Sequence, residues 1–306
     1  MFKVTQDIKK GLNLYRITDS DTGEYVSILP DYGCALNNYV ILHNGKFLDL
    51  IEGYADEADL LENLNKIIKG HILFPFPNRI FDGTYEFQGS QYQLVKNYVQ
   101  EGNACHGLLL DRKFVYEMHT TSDQEAGVAF VTELLGDEEG YPFKCKVRVR
   151  FVYTRQTFSI ESEIINTDDK VIPTGLGWHP YFKIGEHIDD LYLTIPGAEL
   201  WEQSTKDFLP TNYTGNEPLG NNFLDSCFRY KTGEVSIEDK KLGIKLTFDS
   251  NKDFPYVHVY TPAHRKFIAI EPMTCVPDSF NNKVGLKILN KNEHWMTKCA
   301  IKVTKS

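Results

Sequence analysis

The sequence lacks several common signatures of function. Its six cysteines form no CxxC motif, and there is no GxSxG nucleophile elbow, no P-loop, no GxGxxG after a strand and no HExxH motif. No apolar run approaches the ~20 residues of a membrane-spanning helix. The N-terminal stretch also lacks the apolar core of a signal peptide. These absences favour free thiols in a reducing compartment, and we expect a cytoplasmic location.

An excess of positive charge is also missing. The 306 residues include 42 acidic and 33 basic ones, which gives a formal net charge of −9. This balance argues against nucleic acid or an anionic membrane as a partner. The apolar fraction of 42% and the length allow a sizeable core without disulfides.

What is present is period-two alternation of apolar and polar residues. It is clearest in KCKVRVRFVY (144–153) and recurs in KLGIKLTF (241–248), and both segments are predicted as half-buried strands. TYEFQGSQYQL (84–94) is predicted as a hairpin that turns at Gly89 and Ser90. The segment 267–270 is apolar on both faces, which indicates a central strand.

One segment is predicted to be helical. DEADLLENLNKIIKG (56–70) has an apolar stripe, acidic residues in its first turn, Lys66 and Lys69 in its last, and Gly70 as a C-cap. No repeat, low-complexity tract or linker divides the chain. We therefore expect a single all-β domain over 1–306, a large antiparallel β-sandwich with one short helix.

Three ionisable residues stand where the pattern is otherwise apolar. Glu271 ends the apolar run FIAI, His179 lies in GLGWHPYF, and His106 lies in GNACHGLLL, where a turn is expected. A buried carboxylate must be paired, neutralised or next to a wet cavity. The alternatives to a functional role are a salt-bridged strand end for Glu271 and core histidines held by backbone carbonyls for the other two.

Two further charged residues lie beside aromatic or apolar residues in other segments. Arg79 follows the prolines of FPFPNRI, and Asp225 lies in NNFLDSCF. A surface salt bridge and a turn acid, respectively, are their simpler explanations. Together with the two imidazoles and Glu271, they make the set of groups that acid–base chemistry on a polar, uncharged molecule requires.

Metal binding is not indicated. His258 and His264 are six residues apart and lack companions at metal-ligand spacing, so no metal site is predicted. His258, in YVHVY, shares a strand face with Tyr256 and Tyr260 and either lines a pocket or packs in the core.

The motifs resemble those of the aldose 1-epimerase (galactose mutarotase) family. The matching stretches occur in the family's order and span roughly 70–282: FPFPNRIFDGTYEFQGSQYQLVKN, HG at 106–107, HPYF at 179–182, LDSCF at 224–228 and EPMTCVPDSFN at 271–281. HGLLL lacks the second glycine of the common HGG, and GW replaces an Asn-rich lead-in before His179. Both departures resemble a less characterised branch of the family, and they leave the choice of sugar open.

The resemblance implies a galactose mutarotase-like β-sandwich with a sugar cleft and no cofactor. It implies that Glu271 is the catalytic base, that His179 is the catalytic acid and that His106 supports them. Sugar hydroxyls would be bound by Arg79, Asp225 and Asn78. Phe76, Trp178 and Phe182 are candidates to pack on the sugar, or they belong to the core.

The reaction that the resemblance implies is interconversion of α and β anomers of a free aldohexose. Unperturbed pKa values favour an ionised Glu271 and a protonated His179, while burial opposes the imidazolium. Two alternatives stay open. A hexose-phosphate epimerase would need extra cations, for which Lys183, Arg112 and Lys113 are candidates, and a non-catalytic carbohydrate-binding protein would need no proton-transfer pair. The expected partner is a small sugar, and the expected assembly is a monomer or a homodimer.

Overall fold

The computed structural model describes residues 1–64, 66–230, 234–249 and 251–306. Within these ranges the chain forms 28 strands, two α-helices and three short 3-10 helices. The strands of the first half are β1 (Phe2–Lys9), β2 (Leu12–Asp19), β3 (Tyr25–Leu29), β4 (Ala35–His43), β5 (Lys46–Asp49), β6 (Ile72–Leu73), β7 (Arg79–Ile80), β8 (Thr84–Phe87), β9 (Ser90–Gln93), β10 (Ala104–Cys105), β11 (Val115–Thr121), β12 (Glu125–Leu135), β13 (Lys144–Thr154) and β14 (Thr157–Asn166).

The strands of the second half are β15 (Ile172–Thr174), β16 (Gly177–Trp178), β17 (Tyr181–Phe182), β18 (Tyr192–Ile195), β19 (Glu199–Glu202), β20 (Asp207–Pro210), β21 (Tyr213–Thr214), β22 (Asp225–Arg229), β23 (Val235–Asp239), β24 (Ile244–Asp249), β25 (Tyr256–Tyr260), β26 (Ile268–Met273), β27 (Lys287–Leu289) and β28 (His294–Lys305). The helices are α1 (Glu57–Asn63), α2 (Ser279–Asn282) and the 3-10 segments Phe81–Gly83, Ile188–Asp190 and Asn251–Asp253.

Three large sheets organise these strands. The first five strands form one sheet in chain order, and a nine-stranded sheet has the order β11-β12-β13-β14-β28-β24-β23-β18-β21. An eight-stranded sheet has the order β20-β19-β22-β25-β26-β16-β6, with β17 also paired to β26. The pairings between these strands are antiparallel. The predicted antiparallel β-sandwich is confirmed.

The core lies between the large sheets. The predicted alternation in β13 is confirmed, since Cys145, Val147, Val149, Phe151 and Tyr153 are buried while the basic residues between them are partly exposed. Aromatic contacts then join the nine- and eight-stranded sheets. The rings of Phe158 and Trp178 lie 6.2 Å apart, and those of Phe182 and Phe248 lie 5.1 Å apart.

The predicted helix is shorter than its sequence pattern. α1 ends at Asn63, and the residue that caps it is Leu64 rather than Gly70. Its N-terminus follows the expected chemistry, because the Asp56 side chain accepts a hydrogen bond from the Asp59 amide. Beyond the helix, the buried Lys69 ammonium lies 3.3 Å from Asp59 and 3.2 Å from the Gly53 carbonyl. These tertiary contacts override the helical propensity of the segment.

The predicted hairpin is confirmed with a shifted turn. β8 and β9 pair as expected, but the turn residues are Gln88 and Gly89, with φ of 54° and 75°. Two positive φ values match the twist of a tight hairpin.

β26 is central, as predicted, and every residue in it is buried. Among the described residues, no helix has both the length and the apolar character needed to cross a bilayer.

Candidate active site

The eight-stranded sheet presents a row of polar side chains on one face. His258 on β25 pairs directly with Glu271 on β26. His179 lies between β16 and β17, which both pair with β26 in one register, so it sits across from Glu271. Because side chains alternate along a strand, Val259 and Ile270 turn to the opposite face, into the core. Strand pairing alone therefore brings three ionisable groups together.

Glu271 and His179 are in direct contact. Nε2 of His179 lies 3.3 Å from Oε1 of Glu271, and the two side chains are 7% and 1% exposed, respectively. The alternative of a salt-bridged strand end for Glu271 is wrong, because Glu271 lies inside β26 and its partner is a buried imidazole in the same cluster. His106 packs edge-on against His179 with ring centroids 4.9 Å apart. Two imidazoles and a carboxyl group thus form one cluster, in which His179 and Glu271 are buried and His106 is partly exposed.

A left-handed turn holds His106 in place. His106 has φ of 61° and its amide donates to the Asn78 carbonyl at 2.7 Å. Gly107 follows with φ of 76°, and a Cβ atom there would lie 2.2 Å from the Phe74 carbonyl oxygen. Only glycine fits that approach. Packing against Phe74 thus requires the glycine of the HG dipeptide, and the turn orients the His106 imidazole.

Four polar side chains form a closed hydrogen-bonded ring beside this cluster, which we call the polar ring: Asn78, Arg79, Asp225 and His258. Arg79 Nη1 donates to Asn78 Oδ1 at 3.3 Å, and Asn78 Nδ2 donates to His258 Nδ1 at 3.4 Å. His258 Nε2 lies 2.8 Å from Asp225 Oδ1, and Asp225 Oδ2 lies 3.5 Å from Arg79 Nη2. Since Asn78 donates to Nδ1, Nε2 carries the proton that His258 donates to Asp225.

All six predicted site residues line one cavity of about 220 Å³. Further lining residues, which the sequence did not single out as site residues or left undecided, are Ile68, Asn97, Tyr98, Cys105, Leu110, Tyr181, Phe223, His258, Tyr260 and Lys66. The catalytic and binding roles of the six stay predictions. The open question about His258 is answered, because it lines the cavity and also bonds to Asp225.

Burial sets the protonation of the acid–base cluster. Burial, together with the charge of Asp225, raises the pKa of Glu271 well above its usual value. Burial lowers the pKa of His179 to about 3 and holds that of His106 well below its usual value. Burial therefore favours a protonated Glu271 and a neutral His179.

The polar ring keeps its charges. The hydrogen bond from His258 lowers the pKa of Asp225 despite partial burial, and the Arg79 charge adds to this. Burial acts to lower the pKa of Arg79, but its hydrogen bond to Glu101 at 2.9 Å and the charge of Asp225 raise it overall. The site thus has a neutral proton-transfer half and a charged binding half.

Some buried polar atoms have no partner within the described residues. In the acid–base cluster these are Oε2 of Glu271, Nδ1 of His106 and Nδ1 of His179. A buried polar atom without a partner is costly, so a ligand that offers hydroxyl groups would be stabilised here. His106, His179 and Glu271 also have ligand atoms within 4.8 Å of one another, a donor set that can hold a metal ion. The absence of a metal stays a prediction.

The aromatic candidates for sugar contact were wrong. Phe76, Trp178 and Phe182 are at most 2% exposed and pack in the core, and Trp178 donates its indole N–H to the Gly70 carbonyl. The aromatic rings in the cavity wall belong instead to Tyr98, Tyr181, Phe223 and Tyr260. Tyr256 and Tyr260 did mark the correct strand face, but no local sequence signal marks Phe223.

The candidate phosphate-binding cations also lie outside the cavity lining. Lys183 pairs with Glu52 at 3.1 Å, Lys113 pairs with Asp31 at 3.1 Å, and Arg112 pairs with a glutamate. Among the described residues, the cations that line the cavity are Arg79, which already contacts two carboxylates, and Lys66.

Comparison with known proteins adds independent information. The family model for aldose 1-epimerase matches residues 15–302. YihR, an uncharacterized protein of Escherichia coli K12, is 27% identical over 238 residues, which cover 73% of this chain and 75% of that protein. Human galactose mutarotase is 26% identical over 185 residues, which cover 59% of this chain and 52% of that protein.

Solved structures agree with the fold. A galactose mutarotase-like protein from Clostridium acetobutylicum superimposes with a TM-score of 0.86 at 18% identity, covering 100% of this chain and 99% of that one. An aldose epimerase homologue from C. elegans gives 0.80 at 18% identity, with coverage of 100% and 99%. At these identities the likeness shows the fold alone.

Proposed function

This chain belongs to the aldose 1-epimerase family, and we propose that it is an isomerase that interconverts the α and β anomers of a free aldohexose such as glucose or galactose. Family membership supports the class of reaction. The observation that carries the proposal is the 3.3 Å contact between buried Glu271 and His179 in a cavity that also contains the polar ring.

The chemistry needs two proton transfers, one at each of the two oxygens that are bonded to C1. Opening the ring removes a proton from the C1 hydroxyl, breaks the bond from C1 to the ring oxygen, forms the C1 carbonyl and adds a proton to the ring oxygen. Both oxygens are bonded to C1, so adjacent acid and base groups can reach both from one side of the sugar. The 3.3 Å contact fits this adjacent geometry rather than groups on opposite sides of the sugar.

The proton inventory of the pair is consistent with this reaction. The raised pKa of Glu271 and the lowered pKa of His179 favour a protonated carboxyl beside a neutral imidazole, which is the state that ring opening produces when Glu271 acts as base and His179 as acid. Transfer of one proton from Glu271 to His179 restores the starting form. Reclosure on the other face of C1 runs the same two transfers in reverse, so no cofactor is consumed.

The remaining lining residues are assigned to binding. Arg79, Asn78 and Asp225 offer a fork of donors, an amide and a carboxylate for sugar hydroxyls. His106, with a free ring nitrogen beside His179, would hold an oxygen close to C1. A pure binding protein has no use for a proton-sharing pair at this position, which favours an enzyme.

A free sugar is favoured over a phosphorylated one. The phosphate-binding candidates lie outside the cavity. Of the two cations in its lining, Arg79 contacts Glu101 and Asp225, and Lys66 pairs with Glu62 at 3.6 Å. The neighbouring carboxylates would repel a phosphate group. Faster turnover of glucose 6-phosphate than of glucose would contradict this assignment.

The direct test is polarimetry of freshly dissolved α-glucose and α-galactose. The protein should accelerate the change in optical rotation for at least one of them. Glu271→Gln and His179→Gln should each lower kcat by about 10²–10⁴-fold, the usual worth of a positioned proton transfer. No acceleration by the wild type would refute the proposed function.

The matched control is Glu163→Gln. Glu163 also contacts a histidine, His294, at 2.8 Å, but this pair lies on the nine-stranded sheet, outside the cavity lining. This variant should keep the wild-type rate. Full activity in both cavity variants would refute the assigned roles while leaving the reaction itself intact.

A further inference from the structure

An aromatic ring at the cavity wall stands out by its exposure. Phe223 is 68% exposed, although leaving a phenyl ring in water forgoes the free energy of its burial. Single exposed apolar residues are ordinary, and Phe47 on β5 is exposed to a similar extent, 57%. Phe223 differs from Phe47 because it lines the cavity that contains the acid–base cluster.

The segment that carries Phe223 is anchored on both sides. The Leu224 amide donates to Thr261 Oγ1 at 2.8 Å, and the Thr261 amide donates to the Leu224 carbonyl at 2.9 Å. On the other side, Arg265 Nη1 donates to the Asn222 carbonyl at 2.9 Å. The exposed ring is therefore held by a fixed backbone, so little conformational entropy is lost when a ligand packs on it.

The phenyl group of Phe223 lies beside the polar ring. Leu224 is buried, and Phe223 and Asp225, one residue to either side of it, both line the cavity. Asp225 pairs with Tyr260 across β22 and β25, and the Tyr260 ring lies 6.3 Å from that of Phe223 at 88°. An apolar wall thus adjoins the carboxylate and guanidinium of the binding half.

Pyranose sugars have the complementary shape. Their hydroxyl groups point outward, while carbon-bound hydrogens form an apolar patch on a ring face. Aromatic faces pack on such an apolar surface, and the slightly positive carbon-bound hydrogens meet the negative face of the aromatic ring. A site with a polar side and a rigid aromatic side fits both features of one sugar at once.

We propose that Phe223, with Tyr260, forms the apolar wall of the site and packs on the C–H face of the pyranose ring. This inference rests on the proposed function for its substrate, but it makes a separate claim about binding. Phe223 touches no reacting atom, so it contributes to KM and not to kcat.

The test compares Phe223→Ala with Phe223→Tyr and Phe47→Ala. Phe223→Ala should raise KM for the sugar about three- to tenfold, the range expected for one aromatic contact, with kcat within about twofold of wild type. Phe223→Tyr keeps the aromatic ring at the cavity wall. Phe47→Ala removes a similarly exposed phenyl ring that does not line the cavity. Both variants should keep the wild-type KM. An unchanged KM in Phe223→Ala, or a loss confined to kcat, overturns the inference.

A binding measurement separates this inference from the proposed function. 1,5-Anhydroglucitol has the pyranose ring but no anomeric hydroxyl, so it cannot react, and its affinity is measured by calorimetry. Phe223→Ala should weaken it about three- to tenfold, even if the wild type proves inactive as a mutarotase. Equal affinities in wild type and Phe223→Ala overturn the apolar wall. A wild type that neither binds this compound nor accelerates mutarotation overturns both proposals.

Discussion

The molecule contains two glutamate–histidine pairs with similar geometry and different surroundings. Glu271 and His179 are 3.3 Å apart on the cavity face of the eight-stranded sheet and are almost fully buried. Glu163 and His294 are 2.8 Å apart on the nine-stranded sheet, with the imidazole 55% exposed. Neither residue of the shorter pair lines the cavity that contains Glu271 and His179. Distance alone therefore does not distinguish the two pairs, whereas burial beside a cavity does.

The largest expected effect on stability is a loss of unfolding free energy at acid pH. The pKa of His71 is lowered to about 4 and that of His179 to about 3, and His106 is shifted in the same direction, all through burial. The unfolded chain takes up protons on these imidazoles below pH 6.5 and the folded chain does not, so stability falls as pH drops. The raised pKa of Glu271 acts in the opposite sense and offsets part of the loss.

Between pH 6 and pH 5 the net loss should be on the order of 2 kcal/mol. Urea denaturation at a series of pH values measures it. A free energy of unfolding that stays constant from pH 6.5 to pH 5 would mean that the buried imidazoles titrate normally.

A third pair lies between these extremes and sharpens the comparison. His258 is buried, but its partner Asp225 is 34% exposed and faces the cavity. His258→Leu removes the donor to Asp225 and the acceptor for Asn78, so kcat/KM should fall about tenfold, mainly through KM. His258→Gln keeps an amide donor and should restore much of this loss. Steady-state polarimetry distinguishes the two variants, and equal activity in both would contradict the positioning of Asp225 by His258.

The smallest effect is expected at the exposed pair. Glu163→Gln should lower the free energy of unfolding by less than about 1 kcal/mol, since solvent screens the partly exposed ion pair. Thermal or urea denaturation checks this value. A cost above about 2 kcal/mol would show that the surface pair is more strongly coupled than its exposure indicates.

Much of the fold could be predicted from the sequence because it follows from alternation. The strand at 144–153 and the hairpin at 84–94 appear where the polar and apolar residues alternate. The helix end could not be predicted, because Lys69 leaves the helical register to reach Asp59 and Gly53. That contact joins parts of the chain which no local pattern relates.

The site was likewise predictable where local motifs mark its residues and not where it depends on long-range packing. Each of the six site residues was found through a motif, and all six line one cavity. The aromatic wall could not be found this way, because Trp178 and Phe182 look no different in sequence from exposed rings, and only the fold shows that they are core. The proton state of Glu271 was equally hidden, since it depends on how completely distant strands cover it.

The row across the eight-stranded sheet joins residues that are far apart in the chain. His179, Asp225, His258 and Glu271 become neighbours only when β22, β25, β26 and the β16–β17 region are all in register. A one-residue slip of β26 would turn Glu271 into the core and Ile270 into the cavity. Under the proposed function, activity would therefore report on correct strand register, because a misregistered chain can retain its β-structure and compactness and yet lack the assembled site.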